Sequence, residues 1–190
     1  MKGKLIVGVA VLVLISLASA GLVGYLSNVV VAEVEVLGPV FYASDGHPTG
    51  SSDYLLGINE FEKRKDVVFT GTDNKVFISE PLGITSFYPA NYHMFIYANS
   101  SADESLNESG QIDAELWVAR ENGNKKNLIC HGSTTENVVE WHPYEIDCLG
   151  DEIDLDVDDR FMWILSDGSN SIKYTIEVEG NTRIEVEAIE

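Results

Sequence analysis

The chain has 190 residues, with 31 acidic and 12 basic side chains and a net charge of −19. An excess of that size repels nucleic acid and anionic lipid surfaces, so nucleic acid is not expected as a partner. The charge is unevenly placed: residues 1–32 hold Lys2, Lys4 and no acid, which leaves ten bases against all 31 acids in the remaining 158, a net −21 there.

Leu5 to Leu26 is 22 residues without a charge, and a bilayer core is crossed by roughly 20 helical residues. With Lys2 and Lys4 as the basic flank, positive-inside bias keeps the first residues in the cytoplasm and sends the acidic remainder across. Two main readings of this leader stay open. One is an uncleaved single-pass anchor. The other is a secretory signal in which Leu5 to Leu17 is the apolar stretch and Ala18-Ser19-Ala20 precedes a cut before Gly21. A pilin-type helix processed near Lys4 is a third, without the glutamate typical of such helices. All deliver the same domain outside, so residues 1–32 are assigned as anchor or signal and 33–190 as one extracytoplasmic domain. That length suits a single core.

Beyond the leader, period-2 alternation dominates. Strands are predicted at Ala32–Val36, Val67–Thr70, Val76–Ser79, Tyr92–Ala98, Gln111–Arg120, Asn127–Cys130, Val138–Trp141, Phe161–Leu165, Ile172–Val178 and Ile184–Ala188, with a short helix over Leu55–Lys65. Asn122-Gly123 is a strong hairpin signal between the fifth and sixth of these. Gly180-Asn181 reads as the turn that brings the last strand back on its predecessor. Many short strands separated by turn-rich segments indicate an all-β fold, an antiparallel sandwich of immunoglobulin-like or jelly-roll-like type preceded by one N-terminal hydrophobic helix.

Cys130 and Cys148 are the only cysteines. Outside the cytoplasm an isolated pair reads as one disulfide. The competing reading is a metal site with His131 and His142, but no C-x-x-C or H-x-x-x-H spacing supports it. Asp151 to Asp159 alternates acid and aliphatic residues, placing Asp154, Asp156 and Asp158 on one face of a strand. A solvated edge strand is the plain reading, with no cofactor; the alternatives are calcium, the one cofactor considered, or a basic partner, either of which would relieve the mutual repulsion. Lys63-Arg64-Lys65 is the basic cluster that could meet this strip on another copy. Asn99 and Asn107 each head an N-x-S sequon in one polar loop and are the glycosylation candidates. Trp117 shares a strand face with acids and could stack on a sugar, while Trp141 and Trp163 read as core.

Catalytic signatures are lacking. The histidines His47, His93, His131 and His142 show no mutual spacing of a known site, and no G-x-S-x-G, H-E-x-x-H or phosphate loop occurs. The leader followed by Val34-Glu35-Val36-Leu37-Gly38-Pro39-Val40-Phe41-Tyr42-Ala43 resembles a group of exported archaeal surface proteins of unknown function, which pair a hydrophobic segment with an acidic β-sandwich. Tyr25-Leu26-Ser27-Asn28 also resembles the Tyr-Phe-Ser-Asp junction of the TasA and camelysin family, from which Leu26 and Asn28 depart. That resemblance covers residues 1–43 and implies strand-exchange fibres.

The sequence thus points to a membrane-anchored or secreted cell-surface protein with a structural or adhesive role and no catalytic activity. Its expected partners are the membrane, through the N-terminal helix, and other copies of itself or other surface proteins. The alternatives are an extracellular filament subunit assembled by strand exchange, and a calcium- or glycan-binding module.

Overall fold

Alternation of inward apolar and outward polar side chains governs the computed structural model, which describes residues 37–47, 53–58, 65–70, 73–102, 110–168 and 172–189. The leader, the Ala20–Gly21 position, the expected strand Ala32–Val36, Lys63, Arg64 and Asn107 lie outside these. The described residues form thirteen strands and no helix: β1 (Leu37–Ser44), β2 (Tyr54–Gly57), β3 (Lys65–Thr70), β4 (Lys75–Ser79), β5 (Ser86–Phe87), β6 (Ala90–Ser100), β7 (Ile112–Ala119), β8 (Lys125–Ser133), β9 (His142–Gly150), β10 (Ile153–Asp154), β11 (Arg160–Asp167), β12 (Lys173–Val178) and β13 (Arg183–Ala188). All fall in one compact unit, Leu37–Glu190.

Eleven strands share one sheet in the order β3-β12-β6-β13-β1-β2-β4-β11-β7-β8, with β9 on the free edge of β6, while β5 and β10 form a separate pair. The protein is therefore all-β, but its large sheet is mixed rather than purely antiparallel. β2 and β4 run parallel because the chain leaves β2, passes through β3 at the far end of the path, and returns to β4 in the same direction. The helix expected over Leu55–Lys65 is not formed where the chain is described. Leu55–Gly57 belongs to β2, where Leu56 is buried and its neighbours are partly exposed, a strand's period. Val138–Trp141 is likewise not a strand; pairing starts at His142, where Tyr144 and Ile146 point in and Glu145 and Asp147 point out.

The expected return turn at Gly180-Asn181 is a bulge instead. Ile176 pairs with Ala98 and Arg183 with Phe95, so β12 and β13 run in one direction along the same edge of β6. Residues 177–182 leave β6 between these points, Glu177 and Val178 still pairing with β3, and Glu179 and Gly180 take φ 71° and 138°. Buried Thr182 fills the gap: its hydroxyl accepts the Tyr97 N–H at 3.1 Å and donates to Glu177 O at 2.6 Å. Beyond the bulge the two strands separate, β12 toward β3 and β13 toward β1. Bulges bend strands and raise twist in this manner.

The inward rows fill the larger of two cores, the smaller being Ile78, Ala119, Met162 and Ile164. Tyr92, Met94, Ile96 and Ala98 of β6 meet Leu116 and Val118 of β7, Trp163 and Leu165 of β11, and Tyr174 and Ile176 of β12, all essentially without solvent contact. Each large side chain so buried contributes about 2 kcal/mol. β8 and β9 are not paired with each other, yet they are joined by Cys130 and Cys148, whose Cα atoms are 5.7 Å apart at disulfide-bonding sulfur distance. By chain entropy, closing that loop stabilises the fold by about 3 kcal/mol.

Close approach there depends on missing side chains. A Cβ on Gly132 would lie 2.6 Å from Ile146 Cγ2, and one on Gly150 would lie 2.7 Å from Tyr92 Cε2 and 2.8 Å from Ile129 Cγ2. Gly150→Ala is expected to lower the free energy of urea unfolding by about 1–3 kcal/mol through overpacking. Gly46→Ala, whose methyl meets nothing nearer than 3.4 Å, should shift it by less than about 0.5 kcal/mol. Equal effects of the two would contradict this packing.

Candidate functional site

The outward face of β13, β6 and β9 gathers the best-organised polar group among the described residues. Strand register sets it out in rows. Glu187, Asn91 and Leu149 form one row, Glu185, His93 and Asp147 the next, and Arg183, Phe95 and Glu145 the third. Tyr97 and Pro143 follow on the same face. The proline is tolerated because β9 is an edge strand.

His93 is the hub. Its Nδ1 lies 2.6 Å from Asp147 Oδ1 and 3.7 Å from Glu145 Oε1, and its Nε2 lies 3.3 Å from Glu187 Oε2. Partial burial pulls the imidazole pKa down, but the hydrogen bonds and charges of Asp147 and Glu187 outweigh it and hold the group above its ordinary value. The ligand atoms of His93, Glu145 and Asp147 all lie within 4.8 Å of one another, the one such set among the described residues. One row along, the Arg183 guanidinium sits 4.4 Å over the Phe95 ring while its Nε donates to Glu185 at 2.6 Å. Next to it Tyr97 and Trp141 stack with centroids 5.5 Å apart and planes 19° from parallel. Trp141, expected in the core, is 40% exposed, whereas Trp163 is fully buried. The reason is the absence of a strand at 138–141: Trp141 precedes β9 and lies over the outward row.

Trp117, the sugar-stacking candidate, is partly buried. Its Nε1–H donates to Glu115 at 2.7 Å, and Lys125 lies 4.4 Å over its ring. The sheet surface beside the β5–β10 pair has a second feature, an apolar groove of about 630 Å³ lined by Pro39, Phe41, Leu56, Ile58, Leu82 and Phe87, with Glu80 its one carboxylate. Apart from Ser79 and Glu80 its lining side chains are apolar.

The acidic run does not form the predicted three-carboxylate strand face. Only Ile153–Asp154 is strand, opposite Phe87 and Ser86 of β5, and Asp158 sits exposed in the turn that follows. Asp156 and Asp159 both accept from Lys126 Nζ, at 2.9 and 2.6 Å, and Asp159 also accepts the Asp156 N–H at 2.8 Å. The organising group is thus Asp159, whose side chain is 3% exposed. Burial pushes this carboxyl up, but Lys126 and the Asp156 amide pull harder and leave it below its ordinary value. Lys65, of the basic cluster, pairs with Asp45 in its own domain. Asp45 is held low by hydrogen bonds from Glu179 and Lys65, while burial and Asp45 push Glu179 up.

Cys130 and His131 face opposite sides of β8, the first buried and the second exposed, so the pair does not build a common metal site. Asn99 lies in β6 opposite Thr175 of β12 rather than in a loop. Sequence reasoning missed the His93 group because its members are 54 and 94 residues apart, and only register unites them. One local signal was present, the acid–apolar alternation of Tyr144-Glu145-Ile146-Asp147.

No protein-family model and no curated protein matches this chain. Among solved structures it is similar to a CocE/NonD family hydrolase from Staphylococcus aureus, with a TM-score of 0.62 at 10% identity over 80% of this chain and 36% of the hydrolase. Another structure of that hydrolase gives 0.60 at 9% identity, over 79% and 36%. The chain therefore spans little more than a third of those proteins, and the likeness is one of fold.

Asp159 gives a pH prediction. Because its folded pKa is depressed, its contribution is fully present above the unfolded value, about 3.9, and is lost as pH falls through the folded one. Asp159→Asn should lower the urea midpoint at pH 7 and flatten the acid limb between pH 5 and 2. An acid limb as steep as that of the unaltered protein would contradict the Lys126 pairing.

Proposed function

We propose that the chain is a surface protein, carried to or through the membrane by its N-terminal hydrophobic helix, whose extracytoplasmic β-sandwich has a structural or adhesive role without catalysis. The observation that carries this reading is the outward face of β13, β6 and β9. It displays Phe95 and Tyr97 of β6, a strand paired along both edges, with Trp141 stacked on Tyr97, beside carboxylates. A rigid open surface of aromatic and charged groups suits contact with another surface, and tryptophan and tyrosine dominate such contacts energetically.

Further features support it. A disulfide between Cys130 and Cys148 fits an oxidising compartment. The pairing of β6 with two strand sets, and the main core between the inward rows, support a sandwich. The resemblance of the leader region to exported archaeal surface proteins points the same way. The hydrolase neighbours share fold at 10% identity over part of their length, which lends support to the architecture and not to an activity.

Two measurements test the proposal. A reporter active only in cytosol, fused after Glu190, should stay silent in cells where a fusion lacking residues 1–32 is active. Trp141→Ala should reduce attachment of expressing cells to their native surface several-fold while leaving the melting temperature within about 2 °C, as expected of a surface change. A bright full-length fusion removes the topology, and undiminished attachment removes the role of this face.

A further inference from the structure

We propose that His93, Asp147 and Glu145 form a binding site for a divalent transition-metal ion of the zinc class, with Glu187 as the residue that orients the imidazole. The site goes beyond the surface role and stands or falls separately from it.

The donors are mixed, one nitrogen and two carboxylate oxygens, which is the chemistry zinc-class ions take and calcium does not. Zn–N and Zn–O bonds of about 2.0–2.2 Å in a tetrahedral shell put neighbouring donors roughly 3.4 Å apart. The two separations from His93 Nδ1, 2.6 Å to Asp147 and 3.7 Å to Glu145, bracket that value. Small rotations of exposed carboxylates close the difference.

Glu187 separates this group from an ordinary acidic patch. It comes from β13, on the opposite edge of β6, and meets the other ring nitrogen at 3.3 Å. Carboxylates only accept, so at 2.6 Å from Asp147 and 3.3 Å from Glu187 both ring nitrogens donate; an ion bound here would take the place of the Nδ1 proton while Glu187 keeps accepting Nε2–H. Metal-bound histidines are held by an outer carboxylate in this way. Three carboxylates around one imidazole carry three negative charges, which a divalent ion balances better than a single proton.

The backbone is suited to the task. Asp147 is the direct cross-strand partner of His93, and Glu145 lies two residues along the same outward row. Asp147 and Glu145 are 66% and 49% exposed, so an ion can enter from solvent and keep a fourth position for water. The acidic run offers no rival set, because Asp156 and Asp159 are already engaged by Lys126.

The test uses the full-length chain in detergent, stripped with EDTA and titrated with zinc sulfate and, separately, calcium chloride by calorimetry. One equivalent of zinc should bind in preference to calcium. Affinity should fall at least tenfold in His93→Gln and Asp147→Asn, about tenfold in Glu187→Gln, and not at all in Asp158→Asn. Nitrogen-15 spectra of the unaltered chain give a readout that needs no variant to fold: zinc should shift His93 Nδ1 and leave Nε2 protonated. Zinc affinity unchanged in His93→Gln, an unmoved His93 resonance, or no binding at micromolar zinc would each overturn the proposal.

Discussion

A pleated strand sends successive side chains to opposite faces, and β6 is the element on which this constraint bears most. It is eleven residues long and hydrogen-bonded along both edges, to β9 on one side and to β13 and then β12 on the other. Its even-numbered residues, Tyr92 to Ala98, therefore lie in the core, and its odd-numbered residues, Asn91 to Tyr97, face outward. Core and surface site are two rows of one strand. A register slip of one residue would exchange them and destroy both.

The bulge at 177–182 follows from the same geometry. A single strand cannot pair with β6 over its whole length and also serve both β3 and β1. The chain resolves this by releasing six residues from β6, of which Glu177 and Val178 still pair with β3, with Thr182 bonding to Tyr97 and Glu177 across the gap. Glu179 takes a positive φ and sits buried, accepting from the Ser44 hydroxyl at 3.2 Å, with its carboxyl pushed up by burial and by Asp45. In a domain this acidic, carboxylates near the interior are each given a partner: Lys126 for Asp159, Lys65 for Asp45, and a neighbouring carboxyl for Glu179. Buried Asp167 accepts from the Tyr174 hydroxyl at 2.9 Å, and repulsion between exposed acids is screened over about 10 Å at ordinary ionic strength.

Much of the strand content was legible because period-2 alternation is a direct record of two-faced burial. β7, β8, β11 and β12 lie where Gln111–Arg120, Asn127–Cys130, Phe161–Leu165 and Ile172–Val178 predict them, and Asn122-Gly123 is the turn between β7 and β8. The cysteine pair was legible from its isolation. What could not be read was non-local. The parallel β2–β4 contact depends on a crossover through β3, and the collinear β12 and β13 depend on β6 as a shared partner. Gly180-Asn181 carries the same local chemistry whether it reverses a chain or bulges it. The His93 group is the clearest case, since its carboxylates are ordinary exposed acids until register places them around one ring. Trp141 was misjudged for a related reason, because large aromatics are usually buried and only the start of β9 at His142 reveals its side.

Amide hydrogen exchange on the folded protein tests the central role of β6 most directly. Backbone amides from Tyr92 to Ala98 should be among the slowest in the molecule, exchanging only through global unfolding, while those of the edge strand β3 exchange through local opening. If the β6 amides exchange as fast as those of Val67 to Phe69, the strand is not the one that the two faces depend on, and the account fails.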